Sequence, residues 1–244
     1  MARIEKKKDV VIVGLGWTGS IAGMELAAEG LEIVALERGG DQNTVPEFKY
    51  PNQIDELTYG VRLKNMQHPR QATVTVRRDD SEIALPYRSM GSFLPANGVG
   101  GAGTHWNGLL WRPQPEEIKL RSYVKEKWGE SIIPEGMNLM DYPVTYDELE
   151  PFFTQFDEVA GISGKAGNLK GQIQAGGNPF EGWRSKEYPM PALPATYDSA
   201  KFEVVAKQMG LHTFTAPAGI ASTSYVNRYG MQRAPCYFCG FCER

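Results

Sequence analysis

Three short segments hold the residues whose types and spacing could do chemistry. The first, Gly14-Leu-Gly16-Trp17-Thr18-Gly19, has the spacing G-x-G-x-x-G. Gly14 permits a tight turn, Gly16 lets the backbone approach a pyrophosphate, and Gly19 lets a helix pack closely on a sheet. A helix starting here would offer unpaired N–H groups and its positive dipole end to phosphates. Glu37, followed by Arg38, lies at the spacing where a carboxylate can accept hydrogen bonds from a ribose diol and repel a 2′-phosphate. The motif alone does not choose between FAD and NAD. A structural turn with an ordinary surface glutamate would use the same residues.

The second segment is Gly98-Val-Gly100-Gly101-Ala-Gly103-Thr104-His105-Trp106-Asn107. Glycines this dense let the backbone run close against a flat ligand. His105 and Trp106 then set a nucleophilic ring nitrogen and a large aromatic surface beside it. A glycine-rich turn followed by buried aromatics accounts for the pattern equally well. The third segment, Cys236-Tyr-Phe-Cys239-Gly-Phe-Cys242, contains all three cysteines of the chain. That spacing is poor for a disulfide framework and good for a metal site. Three thiolates suit a three-iron cluster, or a four-iron cluster with a fourth ligand elsewhere. Zinc would also need a fourth ligand, and three reduced cysteines in a loop remain an alternative.

The elements that must position these residues are partly legible. Asp9–Gly14 reads as a buried strand, continuous and β-branched, ended by glycine. A helix is predicted over Trp17–Glu29 with Gly30 as its stop, then a strand over Leu31–Leu36. This is the opening βαβ unit of a doubly wound sheet. Residues 40–70 look irregular, and alternation over 72–77 with a return over 82–88 predicts a β-hairpin. A helix over Thr145–Ala160 is predicted with Leu149, Phe152, Phe153, Phe156 and Val159 on its inward face. Thr145 with Glu148 matches a capping box, whereas Pro151 favours a start near Asp147. A further helix is predicted over Ala200–Met209, capped by Ser199, with Phe202, Val205, Ala206 and Met209 inward and Gly210 as stop. Residues 163–198 are crowded with glycine and proline and predict a long loop, a partner surface or disorder.

The expected fold class is α/β, a Rossmann-like cofactor domain over residues 1–140 followed by the start of a second, substrate domain and the Cys-rich segment over 141–244. The 244 residues, 41% hydrophobic and 23% charged, suit an ordinary globular protein. A net charge of −3 and a pI near 5.7 give no electrostatic reason to expect nucleic acid. No apolar run is long enough for a membrane span or an export signal of the chain's own. His68 and His212 are expected to have no chemical role, and Trp111-Arg112 to support the glycine-rich segment or simply to pack.

Taken together, the segments resemble the glucose–methanol–choline (GMC) oxidoreductase family. Gly14–Gly19 and Glu37 are similar to its FAD fingerprint, and Gly100-Gly101-Ala-Gly-Thr104-His105-Trp106 resembles its second glycine-rich signature. Ala96-Asn-Gly-Val-Gly-Gly, Thr145-Tyr-Asp-Glu-Leu-Glu-Pro-Phe-Phe, Tyr188-Pro-Met-Pro-Ala-Leu-Pro and the cysteine segment look like the branch formed by flavoprotein subunits of bacterial membrane-bound sugar and sugar-acid dehydrogenases. The resemblance implies FAD held by Gly14, Gly16, Trp17, Thr18, Gly19, Glu37, Arg38, Gly100, Gly101, Thr104, His105, Trp106 and Asn107. It implies a covalent flavin link at His105, because family members with histidine at this position carry one. It further implies oxidation of an alcohol carbon of a sugar or sugar acid, with electrons leaving through an iron–sulfur cluster at Cys236, Cys239 and Cys242 to a cytochrome c subunit. A small chaperone-like subunit would carry the export signal, so the expected location is periplasmic, with membrane association only through partners. An oxygen-using sugar oxidase and a non-catalytic electron-transfer subunit are the alternative readings. Family members are longer than this chain and place their catalytic base near the C-terminus. The chain is therefore expected to be an N-terminal fragment that folds poorly alone, and no catalytic residue is assigned.

Overall fold

Residues 6–41, 73–74, 83, 85–86 and 96–238 are described by the computed structural model. Strand β1 (Val10–Val13) and strand β2 (Ile33–Leu36) pair in parallel, with Val10 opposite Ile33 and Val13 opposite Leu36. Helix α1 (Trp17–Ala28) connects them, as a parallel pair requires. Gly30 ends the helix with φ +85°, donating its N–H to the Ala27 carbonyl at 3.0 Å. The helix lies on one face of the strands, where Gly19 and Gly23 are packed on the Ile12 side chain. Among the described residues the other face is open, with Val11 58% and Val13 83% exposed. The strand expected to be buried over residues 9–14 is therefore half-buried on one face and exposed on the other among the described residues, because α1 covers one face of the pleat.

The expected hairpin is present at its described ends: β3 (Thr73–Val74) pairs antiparallel with β4 (Leu85–Pro86). Its middle, the irregular region expected before it and His68 lie outside the described residues. The contacts divide the described chain after Asn107. Arg112 is tied by its side chain to a helix that begins at Tyr146.

In the second unit, α2 (Pro115–Ile118) starts on a capping box of Gln114 and Glu117, with proline at its first position. Helix α3 (Leu120–Trp128) follows directly. Helix α4 (Tyr146–Ala160) takes the earlier of the two starts read from sequence. Thr145 accepts the Glu148 N–H at 3.2 Å, and Glu148 accepts the Thr145 N–H at 2.7 Å. This closed box outweighs Pro151, which sits inside the helix.

The facing of α4 corrects the sequence expectation. Its buried residues are Tyr146, Glu150, Thr154 and Asp157. Leu149, Phe153, Phe156 and Val159 are only half-buried, and Phe152 is 65% exposed. A polar stripe at helical spacing faces inward because cationic partners wait there. Helix α5 (Tyr197–Gln208) also departs from expectation. Its cap is Thr196, which accepts the Ser199 N–H at 3.3 Å, so it begins a turn earlier than predicted. Of its predicted inward residues only Ala206 is buried, while Phe202, Val205 and Met209 are exposed.

Residues 163–191 are ordered rather than structureless. Strand β5 (Ser163–Gly164) pairs in parallel with β8 (Met190–Pro191), and β6 (Asn168–Leu169) pairs antiparallel with β7 (Gln172–Ile173). Carboxylates replace longer ladders. Glu181 accepts the Gly167 N–H at 2.6 Å, and Glu187 accepts the Ala166 N–H at 2.6 Å. His212 meets the Gly177 carbonyl at 2.9 Å, a structural contact. Strand β9 (Tyr225–Val226) and strand β10 (Gln232–Arg233) form a final antiparallel hairpin.

Candidate functional site

The first glycine segment occupies the turn between β1 and α1. Gly14 has φ +94°, a value that favours glycine, and its N–H donates to the Leu36 carbonyl at 2.7 Å. The turn is thereby tied to the end of β2, where Glu37 begins the next loop. Both Glu37 oxygens are used: Oε1 accepts the Gly39 N–H at 2.9 Å and Oε2 accepts the Leu15 N–H at 2.8 Å. These two amides hold the Glu37 carboxyl below the ordinary carboxylate range, against a small opposing effect of burial. Gly19 has no room for a Cβ, which would overlap the Gly14 carbonyl oxygen.

The second glycine segment runs beside the first. Gly100 donates its N–H to the Leu15 carbonyl at 2.7 Å, Gly16 bridges Gly100 in parallel, and Val99 donates to the Gly40 carbonyl at 3.2 Å. Arg38 hydrogen-bonds the Asn97 side chain just upstream. Gly101 has φ +56°, and a Cβ there would sit 3.1 Å from the Gly16 Cα. A 3-10 helix then spans Gly101–His105, with the Thr104 hydroxyl donating to the Gly101 carbonyl at 3.0 Å. Trp106 meets Trp17 edge to face, with ring centroids 4.8 Å apart. Gly103 lies flat against the Trp17 indole, leaving no space for a side chain.

The structure therefore brings together Gly14, Gly16, Trp17, Gly19, Glu37, Arg38, Gly100, Gly101, Thr104 and Trp106. Thr18 is exposed in the first turn of α1, His105 is half-buried at the end of the 3-10 helix, and Asn107 is exposed. Three contributors were missed in the sequence, namely Asn97, Gly39 and Gly40. The Gly39-Gly40 pair directly after Glu37-Arg38 was the readable signal, since a Cβ at Gly39 would overlap Gly98.

Gly16 tests whether this cradle fits a dinucleotide. Its φ of −68° and ψ of −178° suit any residue, and an added Cβ would meet no described atom within 4 Å. Neither backbone strain nor packing among the described residues calls for glycine there. Among the described residues Gly16 instead leaves an open backbone face at the N-terminus of α1, where amide donors and the helix dipole favour phosphate. The residues fit the group.

Cys236 is half-buried; its N–H donates to the Ala221 carbonyl at 2.8 Å, and its sulfur accepts the Phe238 N–H at 3.3 Å. Cys239 and Cys242 lie outside the described residues.

A second polar constellation was not foreseen. Asp157 Oδ2 accepts from Arg112 Nη2 and from Arg184 Nη2, both at 2.6 Å. Arg112 Nη1 donates to Glu150 Oε1 at 3.0 Å, and that oxygen also accepts from the Ser185 N–H, the Ser185 hydroxyl and the Thr154 hydroxyl. Arg184 stacks 3.7 Å over the Tyr188 ring. Burial alone would raise the Glu150 pKa, but the hydrogen bonds, Ser185 foremost, hold it low. Burial likewise works against the Arg112 charge, and Asp157 and Glu150 outweigh it. Its sequence signal was Glu150, Thr154 and Asp157 at helical spacing, hidden because the apolar residues of the same helix gave a competing stripe.

The class these features define is an α/β protein opening on a parallel βαβ unit. No protein-family profile matches the chain. It is 46% identical over 241 residues to the gluconate 2-dehydrogenase flavoprotein of Pantoea cypripedii, covering 98% of this chain and 39% of that protein. It is 24% identical to the fructose dehydrogenase large subunit of Gluconobacter japonicus, covering 90% of this chain and 38% of that one. A 2-methyl-1,2-propanediol dehydrogenase of Mycolicibacterium austroafricanum is 26% identical over 66% of this chain. These similarities support a GMC-like flavoprotein. The chain spans about two-fifths of the length of the first two relatives (39% and 38%).

Proposed function

We propose that this chain is the cofactor-binding part of an FAD-dependent dehydrogenase acting on an alcohol carbon of a sugar or sugar acid of the gluconate kind. The observation that carries this reading is the open glycine face at Gly16, lined by the second glycine segment, in a chain 46% identical to a gluconate 2-dehydrogenase flavoprotein. Bound FAD would supply the acceptor for a hydride leaving the alcohol carbon. The chain's own residues have the simpler work of holding and shaping. The amides at the start of α1 would hold the pyrophosphate, with Gly14 and Gly16 letting the backbone come close. Glu37 keeps the two loops together through Leu15 and Gly39 while offering a carboxylate edge to the ribose, with Arg38 and Asn97 beside it. Trp17 and Trp106 brace the turn that leads to Thr104 and His105. Thr18 and Asn107 complete the proposed binding set from exposed positions. Functionally, the cofactor domain is proposed to extend over residues 1–140, with the substrate domain beginning at 141.

The reading includes a metal cluster on Cys236, Cys239 and Cys242 that passes electrons singly to a cytochrome c subunit. It includes a small chaperone-like subunit carrying the export signal, and a periplasmic location with the membrane reached through partners. No described helix is long and apolar enough to cross a membrane. The full-length protein, purified with its co-expressed partners, tests the function directly. Under anaerobic conditions, gluconate or a close relative is expected to bleach the flavin absorbance. Intact flavin that no sugar, sugar acid or polyol bleaches would overturn the substrate assignment.

His105 is the proposed attachment point of the flavin. In the full-length protein, flavin is expected to stay with the polypeptide through acid denaturation. His105→Ala is expected to release all of it into the supernatant. Flavin retained by the denatured His105→Ala protein would rule out this linkage.

A further inference from the structure

We infer that Trp17 is a positioning residue for His105: its indole sets the placement of that histidine relative to the phosphate turn, and so governs how fast the flavin is attached. The inference rests on the flavin reading and on the His105 attachment proposed above. It starts from Gly103. That residue does not lie in the left-handed region, so backbone conformation does not call for glycine there. What bars a side chain is the Trp17 indole: a Cβ would overlap Nε1 and lie 2.7 Å from Cε2 and 2.9 Å from Cδ1. Trp17 stands at the first position of α1, in the turn proposed to hold the pyrophosphate. A smaller residue would satisfy the helix at that position. Residue 103 is nevertheless pared to glycine so that a tryptophan can come in.

The indole touches the second glycine segment on both sides of His105. Gly103 packs on it before the histidine, and Trp106, directly after, meets it edge to face with ring centroids 4.8 Å apart. The short helix between them has little slack. Gly103 donates its N–H to the Gly100 carbonyl at 3.1 Å, the Thr104 hydroxyl donates to the Gly101 carbonyl at 3.0 Å, and the Trp106 N–H closes on the Gly103 carbonyl at 3.4 Å. The start of that helix is set on the same turn, because Gly100 bonds Leu15 and Gly101 approaches Gly16. The backbone at His105 is therefore fixed to the phosphate turn from both ends. The pyrophosphate and the flavin ring are parts of one cofactor, so the turn that holds the first also sets where the second meets His105. Attachment joins a ring nitrogen of His105 to a flavin carbon. The N–H and the C–H lose their protons, and the electron pair released reduces the flavin, from which it leaves to the acceptor that the dehydrogenase already uses. A reaction between held partners depends steeply on their placement: an error of about 1 Å can cost about 100-fold in rate.

The test uses the full-length protein with its partners, prepared from flavin-starved cells and then given saturating FAD. Bound flavin is read from the native absorbance, and attached flavin from what stays with the polypeptide after acid precipitation. The readout is the rate at which bound flavin becomes attached, which a mere loss of fold or of cofactor leaves unmoved. In Trp17→Ala that rate is expected to fall about 100-fold, and in Trp17→Phe, which keeps an aromatic face, by less. Gly103→Ala pushes the indole aside from the other partner and is expected to slow attachment in the same direction. It keeps the inference open to refutation if Trp17→Ala does not fold. Attachment per bound flavin at the wild-type rate in Gly103→Ala and in the Trp17 variants that fold would overturn the inference, whether or not total flavin falls. Wild-type protein that binds FAD without ever attaching it would overturn the linkage at His105 instead. Wild-type protein that binds no FAD would overturn the cofactor reading, and the positioning role falls with either.

Discussion

Replacing Asp157 by asparagine is expected to destabilise the full-length protein by about 3–5 kcal/mol, the cost of leaving a buried ion unpaired. Asp157 accepts from both Arg112 and Arg184, and all three side chains are at most 6% exposed. Asparagine keeps the shape but removes the charge, so two guanidiniums are left with one carboxylate, Glu150. The effect spreads because the cluster joins three parts of the chain: the segment after the second glycine motif through Arg112, helix α4, and the loop from 163 to 191 through Arg184 and Ser185. Urea unfolding followed by tyrosine and tryptophan fluorescence checks it. A change under about 1 kcal/mol, the range of an exposed pair, would show that the network adds nothing to stability. The pH dependence has a defined sign. The folded Glu150 pKa lies below its ordinary value, so its contribution is complete above the unfolded carboxylate range and is lost as pH falls through the lower folded value. Wild-type protein is therefore expected to lose stability on the acid side.

The second large effect is expected at Gly16, and its contrast with Gly19 is the informative part. Gly16→Val should leave the protein folded, at a cost of about 1 kcal/mol or less from the weaker helix cap. The added side chain meets no described atom within 4 Å and requires no unusual φ. It fills the face where the pyrophosphate is proposed to lie, so flavin occupancy should fall at least about tenfold, equivalent to about 1.4 kcal/mol. Gly19→Ala drives its Cβ into the Gly14 carbonyl, so it should cost about 1–3 kcal/mol of stability whether or not cofactor is present. Flavin absorbance per protein and the thermal midpoint separate the two. Full flavin content in Gly16→Val would remove the main support for the cofactor site.

The local elements around the site were readable for a physical reason. A β-branched run ended by glycine, a helix-forming run ended by Gly30 and a second apolar run describe a βαβ unit without any distant contact. The pairing of Val10 with Ile33 and the turn at Gly14 agree with that description. Helix α4 was readable too, down to the Thr145–Glu148 box, since caps act within one turn. The facing of α4 was not. Periodicity ranks residues by hydrophobicity, and by that measure the Phe-rich stripe should turn inward. It could not register that Arg112 and Arg184 would arrive from 38 and 27 residues away to neutralise Glu150 and Asp157.

The sequence by itself therefore determined what neighbouring residues decide among themselves: the glycine turn, the order β1, α1, β2, the cap of α4 and the chemical types assembled at Gly14–Gly19, Gly98–Asn107 and Cys236–Cys242. Only the tertiary structure decided which distant groups meet. It set Gly100 against Leu15, gave both oxygens of Glu37 to loop amides, turned the charged stripe of α4 inward, and fixed the hairpin of Arg233 on the end of that helix. A buried charge or an unpaired carbonyl is satisfied by whatever partner the fold brings within about 3 Å, and that partner's position in the sequence carries no periodic mark.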